Sequence, residues 1–489
     1  MGGVVFAASA ALGFLHSDHA WDGAWVLQVI ARMHAGDVLY RDVFAGVPPL
    51  TFAIGYVATA IAGVELAALK LLVAGTMAIS WVAGARLLGR LTNTSHFDGP
   101  LAIAMVACAQ PEVSALYQPL ANMFLLLTID AASAAADDPE RGGRRLWIAG
   151  LWCGLAFLSK QTIGVYGGIA AVIVLAGSRR TASLRPIAVV GIAAVLVSAL
   201  GLAPIVMTGG WTRFVDYAFL GKGTYVSVAG VPYLEELRAF GLSIVSGTRG
   251  SAVYFAKNLA LIVPVVAATG VVILFMRRRS HRPIFVAGMA IGLTEFVGLF
   301  PRADVAHVIP VVPGLLVVAL LAWHVVTTER ARPLASLRAI ATVVIAADVA
   351  IRFAAAGAAL AGPDREISHL PHFRGLVMPR AYIDKAGKEA ARLHDAAAGA
   401  PLFLLVPNAG FYYLTSGVTN PTPFDYPLKS AFGRTGMPDT IARFERGELQ
   451  QLCLKRAAGG MAPDVLQDYV DARMTAADDL GVCVLYKRR

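Results

Sequence analysis

Long apolar runs, separated by short polar stretches, repeat along the first 361 residues. A helix needs about 20 residues to cross roughly 30 Å of hydrocarbon. On that measure the runs predict about eleven spans, near residues 2–16, 65–89, 99–115, 118–136, 146–162, 164–178, 187–207, 253–276, 283–300, 305–328 and 335–361. Arginine collects between them in five clusters: Arg86 and Arg90; Arg141, Arg144 and Arg145; Arg179, Arg180 and Arg185; Arg277, Arg278, Arg279 and Arg282; Arg330, Arg332 and Arg338. Basic residues stay on the inner side of a membrane. This predicts an N-terminus inside, with loops 17–64 and 208–252 and everything after about 361 outside.

The first run is short and has no basic flank before it. A signal peptide would need such a flank and a small-residue cleavage site; a start placed too late accounts for both gaps.

From residue 362 the pattern changes, with charges of both signs and shorter apolar runs. "PLFLLVP", residues 401–407, reads as a buried strand followed by the turn "NAG", and the terminal "GVCVLYKRR" as another. A helix carrying Lys385, Lys388 and Arg392 precedes the first strand. The expected fold is therefore an all-α polytopic membrane module, residues 1–361, followed by a small external α/β domain, residues 362–489.

Composition supports this. Hydrophobic residues make up 57% of the 489, charged ones only 15%, and mean hydropathy is +0.63. That leaves too little polar surface to cover a large soluble core. The net charge of +10 sits in the loop clusters rather than on a phosphate-reading surface, so nucleic acid is excluded as a partner. Cys108 and Cys153 lie in apolar runs, whereas Cys453 and Cys483 lie outside, where an oxidising compartment permits a disulfide. No zinc, P-loop or dinucleotide-binding spacing is present.

The loop "HSDHAWDGAWVLQVIARMHAGDVLYRDVFAGVPPL", residues 16–50, concentrates carboxylates where the chain leaves its first apolar run. Apolar residues at 21, 25, 26, 29, 30 and 33 form one helical stripe, opposite Asp22, Gln28 and Arg32. This predicts an interfacial helix with its stripe in lipid, ended by Gly36. "PPLTFAIGYVATAIAG" is too short to span comfortably and is expected to lie along the outer face as well. A carboxylate held there can take a proton from an acceptor hydroxyl. Asp22, on the helix, is the first candidate. Asp18 also fits a helix cap, and Asp37 and Asp42 also fit turns.

Two further sites lie near the outer ends of spans. "GLAFLSKQTIGVYGG" carries Lys160, which can snorkel to the interface or hold a lipid phosphate at headgroup level. "GLFPRADVAHVIPVVPG" gathers Pro301, Arg302, Asp304 and His307 in a tight turn. There Arg302 and Asp304 either pair with each other, worth ~0.5 kcal/mol if exposed, or serve phosphate binding and proton handling. Asp348 and Arg352, four apart on the last span, read as mutually neutralising. Glu295 lies inside a span, where a charge costs ~2.5 kcal/mol or more, and could orient Arg302 two turns on. Glu112, after Pro111, could line the same cavity.

With these residues in place, the chain resembles the GT-C superfamily of membrane glycosyltransferases, in particular bacterial relatives of protein O-mannosyltransferases and lipid A aminoarabinose transferases. The resemblance rests on "WDGAWVLQVIARMHAGDVLYRDVFAGVPPL", "YQPLANMFLLL", "GLAFLSKQTIG", "RADVAHVIPVVP" and "VPNAGFYYLTSGVTNPTPFDY", in that order along nearly the whole chain. It implies a polyprenyl-phosphate-sugar donor and a glycan, lipid or protein acceptor at the outer face of a bacterial inner membrane. Asp22, then Asp18, would act as base or bind a metal or acceptor, and a divalent metal is a possible cofactor. Lys160, with Arg302 and His307, would contact the donor phosphate, and Asp42, Asp304, Glu295 and Gln118 would support them. Ala45, Gly46 and Val47 stand where aminoarabinose enzymes carry an acidic residue and a lysine before the prolines, and Gln118 where they carry an aspartate. Both departures argue against that subgroup. The rival from another class is a transporter or flippase of lipid-linked sugars, which predicts inverted repeats and charges at the midplane. Here the charges gather at one face.

Overall fold

The computed structural model describes residues 1–15, 21–108, 116–138, 142–177, 184–222, 230–245, 258–300, 302–329, 334–426, 429–456 and 464–489. The helices are α1 (Gly2–Leu15), α2 (Trp21–His34), α3 (Leu50–Ala62), α4 (Leu66–Thr92), α5 (Asp98–Cys108), α6 (Tyr117–Asp137), α7 (Gly142–Ser159), α8 (Gln161–Gly177), α9 (Leu184–Met207) and α10 (Trp211–Ala218), the last in a loop where none was expected. They continue with α11 (Tyr233–Val245), α12 (Val263–Met276), α13 (Arg282–Gly298), α14 (Val305–Val308), α15 (Val312–Glu329) and α16 (Leu334–Ala361). Among the described residues five stretches are long and apolar enough to cross a membrane: Leu66–Thr92, Tyr117–Asp137, Leu184–Met207, Leu259–Met276 and Val305–Thr328. α1, α5 and α8 are shorter.

α6 is the hub, with 94% of its apolar window buried among α4, α7 and α8. Small residues allow this packing. On α7, Gly150 and Gly154 stand four apart, and a Cβ on either would come within 2.4 or 2.8 Å of α9. This is the close approach that small residues at i and i+4 permit between membrane helices. Only 17% of the α9 window is buried, so its remaining surface faces outward. Two acidic groups of the bundle are matched: Asp130 meets Arg86 and Arg90 at 3.3 and 3.1 Å, and Arg352 meets Asp348 at 2.9 Å.

The C-terminal region adds α17 (Arg380–Ala397), α18 (Ala409–Ser416), α19 (Gly436–Glu445) and α20 (Asp464–Arg473). It also holds β1 (Arg365–Ile367), β2 (Val377–Pro379), β3 (Phe403–Leu405), β4 (Gln451–Leu454), β5 (Met474–Asp479) and β6 (Val484–Arg488). β1 and β2 pair antiparallel; the other four form a sheet ordered β3-β4-β6-β5, with only β3 and β4 parallel. Parallel strands need a long crossover, supplied here by α18 and α19. Cys453 on β4 and Cys483 just before β6 form a disulfide with Cα atoms 5.5 Å apart. Cys108 and Cys153 are buried and unbridged.

One expectation is overturned. The apolar stripe of α2 does not face lipid: Trp25, Val26, Val29 and Ile30 are buried in one core with Phe52 of α3, Leu69 of α4 and Phe373 and Phe411 of the C-terminal region. The cause is the C-terminal region itself, which covers the helix through α18. Gly36 does end α2, at φ +104, where Asp37 N donates to Arg32 O and Gly36 N to Met33 O, the paired bonds of a glycine C-cap.

Candidate active site

Asp304 organises the turn before α15. As N-cap of α14, its Oδ1 accepts from His307 N at 3.1 Å and from His307 Nδ1 at 2.7 Å, while Oδ2 accepts from Arg302 Nε. Burial pushes the Asp304 carboxyl up, but His307 and Arg302 outweigh it and hold the group well below the usual carboxylate range. Asp304 thus stays ionised and fixes the imidazole with Nδ1 inward. Arg302 keeps 35% of its side chain exposed and so remains accessible to an anion. α6 clamps the same turn, with Gln118 Nε2 donating to His307 O at 3.2 Å and Asn122 Nδ2 to Pro310 O at 2.9 Å. On the other side Ala303 N donates to Val231 O at 3.0 Å. Gln118, Arg302, Asp304 and His307 are therefore gathered into one cluster.

Lys160 occupies the single residue between α7 and α8. Helical bonding continues through it: its N donates to Ala156 O at 2.8 Å and its O accepts from Gly164 N at 3.1 Å. The hairpin is tight, because a Cβ on Gly164 would lie 2.3 Å from Phe157 Cα. Phe157 and Gly164 also line an apolar cavity of about 740 Å³ between α7, α8 and α9, with Cys153, Leu202, Val206 and Trp211. The end of α13, four residues before Arg302, meets the start of α8, three residues after Lys160, where Gly298 packs against Ile163 and also against Val311.

Glu295 is fully buried on α13, and neither of its carboxyl oxygens has a hydrogen-bond partner among the described residues. It makes no hydrogen bond to Arg302, whose Nε donates to Asp304. Its carboxyl group lies against Gly314.

In the first loop, Asp42 accepts from Val38 N at 2.9 Å and pairs with Arg41 at 2.8 Å, and this pairing holds its carboxyl low. Asp22 opens α2, but its side chain, like Asp18 and Glu112 as a whole, lies outside the described residues. Among the described residues no group of three or more His, Cys, Asp and Glu is placed to hold a metal.

Sequence reading missed a second, buried cluster. Asp425, with no exposed surface, accepts from Gln28 Nε2 at 3.3 Å, Asn420 Nδ2 at 2.9 Å and Arg32 Nη1 at 3.1 Å. A parallel link joins Asp216 of α10 to Arg434, whose N and Nε donate at 3.0 and 3.1 Å. The available signal was Gln28 and Arg32 together on the polar side of α2, which requires a polar partner if that side is covered.

Residues 46–204 match the dolichyl-phosphate-mannose-protein mannosyltransferase family. No curated protein sequence matches the chain. Among solved structures, it resembles ArnT from Cupriavidus metallidurans bound to undecaprenyl phosphate, with a TM-score of 0.56 at 13% identity over 99% of this chain and 96% of that one. It also resembles the Archaeoglobus fulgidus oligosaccharyltransferase in complex with zinc and sulfate, with a TM-score of 0.53 at 12% identity over 92% and 67%. The oligosaccharyltransferase AglB of the same organism, in complex with an inhibitory peptide and a dolichol-phosphate, gives 0.50 at 14% over 92% and 69%. At these identities the likeness is one of fold.

Proposed function

We propose that the chain is a membrane glycosyltransferase of the GT-C type that transfers a monosaccharide from a polyprenyl-phosphate donor to an acceptor hydroxyl, a reading supported by the family match over residues 46–204 and by the fold likeness to ArnT. The observation that carries this is Lys160 in a turn whose flanks line the apolar cavity, with the end of α13, which leads into the Arg302–Asp304–His307 turn, packed on the start of α8. A polyprenyl phosphate needs that combination: cations at the headgroup and an apolar wall for its chain. The undecaprenyl phosphate bound by the similar ArnT supports the same donor class.

In this reading the acceptor oxygen attacks C1 of the sugar as the bond from C1 to the phosphate oxygen breaks. Asp22 takes the hydroxyl proton, and polyprenyl phosphate departs with the electron pair. Lys160 and Arg302 stabilise the charge developing on its oxygens, each worth on the order of a hundredfold in rate. The acceptor is a glycan, lipid or protein at the outer face of a bacterial inner membrane. The N-terminus then lies in the cytoplasm and residues 362–489 lie outside.

The test is release of free polyprenyl phosphate from a panel of polyprenyl-phosphate sugars by the full chain in nanodiscs. It compares wild type with Asp22→Asn and Lys160→Ala in the presence of an envelope acceptor extract. Release lost in both variants supports the reading, and full activity in Asp22→Asn removes the base assignment. Movement of the donor between leaflets without release would replace transfer by transport.

A further inference from the structure

α2, which carries Asp22 at its start, is held by the C-terminal region at two places. At the first, Gly410 of α18 packs directly on the α2 backbone: a Cβ there would lie 2.9 Å from Trp25 Cα and 3.0 Å from Ala24 O. At the second, two turns along, Asp425 receives Gln28 and Arg32. Arg32 is also the node of the loop that follows α2, donating to Asp37 at 2.6 Å, to Asp42 O at 3.0 Å and to Thr422 O at 2.7 Å. Asp425 is itself fixed from behind. Asn420 donates to Phe424 O at 3.0 Å as well as to Asp425, and its Oδ1 accepts from the N and Oγ1 of Thr422, both at 2.9 Å. Phe44 N donates to Pro423 O at 2.7 Å, which closes the ring between the first loop and this segment.

A buried carboxylate with three donors, one of them a guanidinium, is costly to desolvate, and an apolar contact of the same size would bind the two parts as well. What the polar cluster adds is direction: a fork of guanidinium bonds fixes rotation and register in a way that apolar packing does not. We infer that Asp425 is a positioning residue for the transferase site, acting through Gln28 and Arg32 to set the place of α2 and hence of the carboxylate at its start. The C-terminal region then completes the active site rather than being appended to it. The inference rests on the assignment of Asp22 as base. A misplacement of about 1 Å in a catalytic group costs on the order of a hundredfold, so a loss of ten- to a hundredfold in kcat is the expected scale.

The experiment uses the full chain in nanodiscs with the polyprenyl-phosphate sugar that the release assay identifies. Asp425→Asn, which keeps the shape and removes the charge, should lower kcat ten- to a hundredfold and leave KM for the donor within about threefold. Gly410→Ala perturbs the other contact without touching the charges and should act in the same direction. Amide exchange over residues 24–33 should quicken in both. The deciding readout is coupling: in an Asp22→Asn background, Asp425→Asn should cost little more, because both act on one proton transfer. An unchanged kcat in Asp425→Asn, or the same factor lost in both backgrounds, overturns the inference. Full activity of Asp22→Asn would remove the base assignment separately, and the exchange measurement would still report whether Asp425 anchors the helix.

Discussion

Glu295 and Gly314 meet across α13 and α15 so closely that a Cβ on Gly314 would lie 2.1 Å from Glu295 Oε1 and 2.8 Å from its Cγ. The glycine makes the space that the buried carboxyl group of Glu295 occupies. Gly314→Ala must displace Glu295 or separate the helices, at a cost of about 1–3 kcal/mol for overpacking. Glu295→Ala should relieve that clash. The expected outcome is a lower apparent Tm for Gly314→Ala in detergent and a smaller loss in the double variant than the two single losses added together.

The Asp304 cluster gives stability a definite pH dependence. Its carboxyl is held low in the folded chain by His307 and Arg302. The stabilisation is therefore fully present above the ordinary aspartate range, about pH 4, and is lost as pH falls through the lowered folded value. Asp304→Asn should destabilise at neutral pH by ~1.5–3 kcal/mol, the scale of hydrogen bonds to a charged group. It should also flatten the fall in Tm below about pH 4. A variant with the wild-type acid profile would show that the carboxylate contributes nothing through this cluster.

The parts of this fold legible in the sequence are those fixed by local pattern. The runs that became α4, α6 and α9 are long and apolar, and the lipid requirement that every backbone group be bonded within its own segment leaves little choice but a helix. The Arg302–Asp304–His307 turn was legible for the same reason, as three polar residues within six positions. The surroundings of α2 were not. Its stripe predicts an apolar partner but not which one, and lipid and protein satisfy it equally. The element that covers it, α18, lies far along the chain, where Gly410 packs on Trp25. The role of Gly314 was hidden likewise, because a glycine in an apolar run shows its purpose only when the facing residue is known.

The disulfide closes a 30-residue interval between β4 and the start of β6. Chain entropy gives such a loop a stabilisation of about 3–4 kcal/mol. Cys453 and Cys483 are both buried, so the bond resists reductant while the region is folded. Replacing both by alanine should lower the Tm and quicken proteolysis of the C-terminal region. The same Tm with and without the bond would make it a bystander of the sheet.

The apolar cavity beside Lys160 offers a separation between the headgroup and the chain of the donor. Ala199 on α9 lines it and is exposed, so a larger side chain fits there without disturbing the core. Ala199→Trp should fill part of the wall and displace a few methylenes of a long polyprenyl chain. Each buried methylene is worth ~0.8 kcal/mol, so a loss of roughly 1–3 kcal/mol corresponds to a ten- to a hundredfold rise in KM. A donor with a short isoprenoid chain never reaches that wall, and its KM should change little. Lys160→Ala should weaken both donors alike, because they share the phosphate. If Ala199→Trp weakens neither or weakens both equally, the chain runs elsewhere and only the cationic turns define the donor site.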